Sequence, residues 1–473
     1  MKRLFFVGLI LVLGLMLGVS NAIATPQQVH LSWSTNDVYR TMTIMWWTEL
    51  PDESKVVYDL MPQESPENYA FTAEGTAYQI KPAKDRHGEP IATQFTGFYH
   101  ETGLTDLEPG TDYYFRVGGS DGYSQEWSFR TIGLDQKVKF IIGGDSRRPY
   151  SAGYEVKVSP KVISNWPWSR DWVTTCAAEE DPDFVVFIGD MVNEGSTQEN
   201  WSNWFDSFQD RLVKDKRMIP IIAVIGNHEM GVYPDEESTY EWFKGVYANP
   251  GNELTFSLDF PNLHITNLCA TGGCVATWWE PTLEEAKAQV DFLKDDLANS
   301  DAEWKIVIFH VPYYSCFLTG TGYASEPLLK YWSPVIENPI YGVDIVATGH
   351  VHNYLRSWPM RTIAIQEVPV DKDWTKVGYK AFYELLSNSA EGITYIVQGG
   401  WGAPNDPYIK GTDCDLRPFI AAAAARACYT LAEITDNGLR LVTKDTAGTV
   451  LDEMTLHYTT TQFTEPEFEN VIW

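Results

Sequence analysis

Basic residues are scarce in this chain: 35 Lys and Arg face 64 Asp and Glu, a formal net charge of −29. So acidic a surface repels nucleic acid and anionic lipid over long range, and no basic stripe interrupts it, so a nucleic-acid partner is not expected. The same field repels phosphate esters, so a site for them needs local positive charge from metal ions or arginines. Cysteine is sparse, at 6 residues in 473. An even count in an exported chain allows disulfides, with Cys269–Cys274 the first pairing expected from closeness and Cys414–Cys428 the second. Past the N-terminus no apolar run is long enough to cross a bilayer. There is no internal repeat, and the alanine run at residues 421–425 is the one low-complexity stretch.

The N-terminus is the exception to this polar character. Met1-Lys2-Arg3 is followed by an apolar run over residues 5–19, then Ala22-Ile23-Ala24 and Pro26. Basic start, apolar middle and small residues at the cleavage positions form the layout of a secretory signal ending at residue 24. The run is shorter than the roughly 20 residues of a spanning helix, which disfavours an uncleaved anchor. A secreted protein with no membrane attachment after cleavage is expected, and its oligomeric state is left open.

The remaining chain is 44 % hydrophobic and 14 % aromatic over the whole sequence, enough for a large core, and its length suggests two domains. Residues 26–132 read as all-β, with short β-branched and aromatic runs at 29–34, 41–48, 55–60, 113–117 and 126–130. The segment from Leu107 through Pro109-Gly110 to Tyr113 and Val117 resembles the turn and strand of fibronectin type III domains, in which a tyrosine bonds back to the backbone. From residue 136 to about 460 the strands become continuous apolar runs, at 138–142, 184–188, 219–225, 305–309, 343–347 and 393–397. Helical patterns lie between them. Leu283, Ala286, Val290, Leu293 and Leu297 follow a capping box at Thr282, and Trp201, Trp204, Phe205, Phe208 and Leu212 follow one opening at Ser196. An α/β domain is therefore expected behind the β module, with residues 461–473 as an acidic, aromatic tail.

Five of the apolar strands end in metal-binding side chains. The strand ends carry Gly144-Asp145, Gly189-Asp190, Gly226-Asn227-His228-Glu229, His310 and Gly349-His350-Val351-His352. Ligands of α/β sheets sit at the carboxyl ends of strands, so these loops should converge on one point. Four of the 9 histidines fall there. A lone strand-end Asp is usually a cap and a lone His usually structural; five together are hard to assign to chance.

In that order, these motifs resemble the calcineurin-like metallophosphoesterases, and most closely the purple acid phosphatases, which also carry an N-terminal fibronectin-like domain. The segments around residues 253–268, 304–312 and 399–402 extend the resemblance over nearly the whole chain. It implies a four-layer domain of two mixed sheets flanked by helices. It also implies two divalent or trivalent ions (Fe, Mn or Zn), the first held by Asp145 and His352, the second by Asn227, His310 and His350, with Asp190 between them. His228 would stand near the leaving group. Carboxylate, amide and imidazole donors suit such ions independently. Two departures matter. Where the family has Asp-x-His or Asp-x-Gly, this chain has Asp145-Ser146-Arg147, and Asn193 replaces the tyrosine ligand of the purple branch. The purple colour is therefore not expected, and water or the Asn193 oxygen completes the first shell. Arg147 and Arg148 are expected to reach substrate phosphate, their planar forks matching its oxygens. Asn353 and Tyr354 line the pocket or pack beneath it.

The expected activity is hydrolysis of a small-molecule phosphate monoester by water attack. A phosphodiesterase or nucleotide hydrolase with the same site is the alternative enzyme. A non-catalytic binding protein on a degenerate phosphoesterase fold is the alternative outside enzymes.

Overall fold

The computed structural model describes residues 24–80, 95–147, 168–230, 240–271, 283–312, 314, 328–369, 377–386, 392–404, 419–458 and 470–471. The signal segment, Arg148, Cys274, Cys414 and nearly all of the acidic tail lie outside the described residues.

Alternation of apolar and polar residues builds the N-terminal domain as two sheets. Gln27–Ser32, Met42–Thr48, Phe98–Leu104 and Thr76–Tyr78 form one; Lys55–Asp59, Phe71–Glu74, Asp112–Gly119 and Trp127–Arg130 belong to the other. Met42, Ile44 and Trp46 point into the core between them. The opposite face of that strand is buried as well. Trp47 and Tyr99 pack with Trp201, Phe205 and Tyr247 of the second domain. The expected corner is present: the Glu108 N–H donates to the Tyr113 hydroxyl at 2.9 Å. One strand crosses the domain boundary. The hairpin of Val213–Lys214 and Arg217–Met218 joins the N-terminal sheet, Arg217 running parallel to Ser128.

The second domain has the expected four layers. One sheet has the order Ile221–Val224, Phe184–Ile188, Lys139–Gly143, Cys428–Thr435, Gly438–Asp445, Val450–His457, the first three strands parallel. The other runs Phe256–Phe260, Leu263–Asn267, Trp304–Ile308, Ile345–Thr348, Thr394–Gln398, Tyr354–Ser357, Ile420–Ala424. Phe140, Ile142, Phe184, Val186 and Ile188 face Ile306, Ile308, Ile345 and Ala347 between the sheets. The alternate residues Ile141, Val185 and Phe187 meet the helices Trp168–Glu179 and Gln198–Phe208 outside, and Val307 and Val346 meet Val290–Asn299. Strands covered on both faces are why these runs are continuously apolar. Arg356 spans the two sheets, its fork holding Asp452 at 2.5 and 2.9 Å. Tyr354 donates to the same carboxylate at 2.6 Å, so it braces the sheets and does not line a pocket.

Three expectations need correction. The helix expected over residues 283–297 is two helices, Leu283–Ala288 and Val290–Asn299, parted at Gln289. The Gln289 amide is engaged with the Cys269 backbone, accepting at 2.9 Å and donating at 3.0 Å. The other helix is capped by Thr197, whose side chain accepts from the Asn200 N–H, and not by Ser196. Cys269 and Cys428 are free thiols, so neither expected disulfide forms. Both are buried among sheet and helix residues: Cys269 lies 3.6 Å from the Thr271 hydroxyl, and Cys428 lies 3.8 Å from the Gln398 amide.

A buried histidine pins Val290–Asn299 to its sheet. His264 bonds Asp259 at 2.7 Å and Asp296 at 2.9 Å, while Ser257 and Thr266 donate to Asp296 at 2.5 and 2.6 Å. Burial opposes the imidazolium, but hydrogen bonds to Asp259 and Asp296 raise its pKa from 6.5 to about 9. A folded pKa above the unfolded one stabilises fully below about 6.5, and the gain is lost as pH rises through about 9. His264→Gln should therefore cost up to about 3 kcal/mol at pH 6 and far less at pH 10, as measured by urea unfolding.

Candidate metal centre

The strand-end loops converge as expected, held by hydrogen bonds between their backbones. The Asp145 N–H donates to Gly189 O (3.0 Å), the Ser146 N–H to Asp190 O (2.9 Å), the Gly349 N–H to His310 O (2.9 Å) and the Ala403 N–H to Asp145 O (2.9 Å). Asp145, Asp190 and His350 have φ of 61°, 53° and 66°, a left-handed conformation that Asp and His tolerate better than bulkier residues but that still costs energy. Crowding demands glycine beside them. A Cβ on Gly189 would lie 2.5 Å from His310 Nδ1, and one on Gly349 would lie 2.7 Å from an Asp145 carboxylate oxygen.

Six side chains then meet in two overlapping groups. Asp190, His310 and His350 form one; Asp145, Asp190 and His352 form the other, the ligating atoms of each group lying within 4.8 Å of one another. Asn227 belongs with the first of these, its Oδ1 lying 3.1 Å from His310 Nε2 and 2.9 Å from His350 Nδ1. Backbone acceptors set the imidazole tautomers: His310 Nδ1 donates to Ile188 O (2.8 Å), and His352 Nδ1 to Pro404 O (2.9 Å). Each then presents Nε2 to the centre, the orientation that outer hydrogen bonds give to metal-ligating histidines. Asp145 Oδ1 is buried with no hydrogen-bond partner, and Oδ2 accepts the His350 N–H at 2.8 Å. Two carboxylates, one amide oxygen and three imidazoles, with an orphaned carboxylate oxygen among them, fit divalent cations.

Burial and mutual contact shift these groups in opposite directions. Burial, with Asp190 close by, drives the Asp145 carboxyl well above the usual range. Burial opposes the Asp190 charge too, but His310, His228 and Arg147 hold its carboxyl well below that range. His310, buried but facing Asp190 and Asp145, is raised to about 9; His350, buried beside His310, is lowered to about 3.

His228 stands beside this group. Its Nδ1 donates to Asn193 O at 2.9 Å, and Nε2 lies 3.8 Å from Asp190 Oδ2. Arg147 lies in the Asp145 half, with Nε 3.5 Å from Asp190 Oδ2, Nη2 3.3 Å from His352 Nε2 and Nη1 3.5 Å from Asn193 Oδ1. Asn193 thus faces the guanidinium. Ser146 turns away, its hydroxyl donating to Met191 O and accepting from the Trp204 indole N–H.

One residue of the Gly-Asn-His-Glu turn had no role assigned from sequence. Glu229 is fully buried and accepts four backbone N–H groups: Asp190 (2.8 Å) and Gly226 (2.7 Å) on Oε2, Met191 (2.8 Å) and Val192 (3.2 Å) on Oε1. It ties the Asp190 loop to the Asn227 loop. Burial and the Asp190 charge push its carboxyl up to about 7. Its position in a polar turn was the only signal in the sequence.

Residues 164–354 match the calcineurin-like phosphoesterase family, and residues 26–131 match the purple acid phosphatase N-terminal domain. The chain carries a calcineurin-like metallophosphoesterase domain behind a purple acid phosphatase N-terminal domain. The metallophosphoesterase match includes every converging strand end except that of Asp145, which the fold supplies. Among named relatives, the phosphoenolpyruvate phosphatase of Allium cepa is 24 % identical over 72 % of this chain and 64 % of its own length. Purple acid phosphatase 1 of Ipomoea batatas is 26 % identical over 72 % of this chain and 66 % of its own, so this chain spans just under two thirds of both plant proteins. The solved structure of a purple acid phosphatase from yellow lupin (Lupinus luteus) seeds shares the fold at a TM-score of 0.67 and 17 % identity, over 92 % of this chain and 74 % of that one.

Proposed function

We propose that this metallophosphoesterase is a secreted hydrolase of small-molecule phosphate monoesters, with residues 1–24 removed as a leader and domains at 26–132 and 136–460. The observation that carries the reading is the sharing of Asp190 by two donor groups. Asp145 and His352 would hold one ion, Asn227, His310 and His350 the other, and Asp190 would bridge them. When bound, such a pair supplies Lewis acidity to the phosphoryl oxygens and makes hydroxide available near neutral pH.

This chain's residues do the rest. The Asn193 carbonyl orients the His228 ring through Nδ1–H, so that the imidazolium form would present an Nε2–H able to protonate the leaving-group oxygen. Arg147, with Arg148 and Asn193, provides positive charge and hydrogen bonds for phosphate, needed in a chain of net charge −29. The names of the onion and sweet-potato relatives support the monoester class. The enzyme should hydrolyse p-nitrophenyl phosphate at least about tenfold faster than bis-p-nitrophenyl phosphate, and a chelator should remove most of that turnover. Faster diester cleavage would replace the monoester reading; no turnover of either ester with Mn, Zn or Fe added would leave a binding protein.

A further inference from the structure

The two cation positions are not equivalent. Asn227, His310 and His350 line one of them, and no arginine or lysine pairs with them among the described residues. The other contains a permanent cation. The Arg147 guanidinium reaches His352 Nε2 at 3.3 Å and Asp190 Oδ2 at 3.5 Å, two atoms a metal ion there would need. Its own backbone N–H is fixed to Asp190 O at 3.1 Å, so the side chain starts from an anchored Cα at the rim of this position. A guanidinium stays charged at any pH at which the protein is folded. It cannot act as a ligand, and it repels a dication a few ångströms away. The side chain is 23 % exposed, which leaves it a route outward toward the cleft.

We propose that Arg147 is a built-in competitor for the first cation position. The chain holds one ion tightly at Asp190, Asn227, His310 and His350. A second enters the Asp145 position only by displacing the guanidinium, which then stands at the mouth of the site, facing the substrate phosphate. This deepens the two-cation reading above and rests on it.

The test is metal stoichiometry, independent of turnover. The metal-stripped full chain is titrated calorimetrically with Zn²⁺ and Mn²⁺, and ion content is measured after gel filtration. Wild type should retain one ion per chain and bind a second at least about a hundredfold more weakly. Arg147→Gln should retain two, the weak site tightening by at least about tenfold. Arg147→Lys, which keeps the charge, should stay near one, and serves if the Gln variant folds poorly. Two ions of similar affinity in wild type, or an unchanged weak site in Arg147→Gln, would overturn the competition while leaving the two-cation reading intact. Two tight ions in Arg147→Lys would overturn it as well. If wild type and both variants retain no ion, the metal-centre reading and this inference fail together.

Discussion

Asp190→Asn should lower p-nitrophenyl phosphate turnover by about a thousandfold or more and weaken binding at both ion positions at once. Asp190 alone belongs to both donor groups. Its carboxylate oxygens lie 3.2 Å from His310 Nε2 and 3.5 Å from Arg147 Nε, and one accepts the His228 N–H at 3.1 Å. Asn keeps the shape and tolerates the left-handed backbone at φ 53°, so lost charge is isolated from lost fold. The backbone carbonyl that receives the Ser146 and Arg147 N–H groups is untouched by the change. Asp145→Asn is the contrast, expected to affect one position and spare the tight ion. Circular dichroism checks the fold, and elemental analysis counts the ions. Wild-type turnover with both ion affinities unchanged in Asp190→Asn would refute the shared-carboxylate assignment.

Glu229→Ala should destabilise the chain by about 4 kcal/mol or more and reduce turnover about a hundredfold, although Glu229 touches neither ion position. Four backbone N–H groups from two loop segments end on its carboxylate. Removing it leaves buried donors unpaired, each costing about 1–3 kcal/mol before relaxation or water entry. The loops it joins present Asp190 and Asn227, and loosening them by about an ångström is enough to spoil a constellation that relies on position. Glu229→Gln keeps one acceptor oxygen but turns an NH₂ toward donors, so an intermediate loss is expected. Urea unfolding read beside kcat separates the two effects. A Glu229→Ala chain within about 1 kcal/mol of wild type would mean the loops hold themselves.

Much of the site was legible because its signals are local. Most of these side chains follow an apolar strand beside a glycine, and the rule that ligands gather at strand ends did the rest. Asp145, Asp190, Asn227, His310, His350 and His352 all meet where that rule puts them. What escaped depends on direction, which residue type does not encode. A glutamate in a polar turn ordinarily faces water, so the inward turn of Glu229 had no signature. Arg147 is recognisable as a cation near the site, but only its rotamer shows that it lies against His352. In the fold, the antiparallel strands Cys428–Thr435, Gly438–Asp445 and Val450–His457 went unanticipated, even though Asp436-Asn437-Gly438 is a hairpin signal. Phe98–Leu104 was missed because His100, Glu101 and Gly103 blur its alternation, and His100 is nonetheless buried against Trp46.

The pairing of Arg217 with Ser128 changes what counts as a unit of this protein. A cut near residue 132 divides the chain at a linker but leaves a sheet missing its neighbour on each side, an open row of amide and carbonyl groups inviting another chain. The aromatic faces of Trp47 and Tyr99 would be stripped of cover by the same cut. The two domains read from sequence therefore share a sheet and a packed aromatic face. The N-terminal module packs against the helix Gln198–Phe208, whose Trp204 indole donates to Ser146 beside Asp145, so it is a structural buttress and not a detachable passenger.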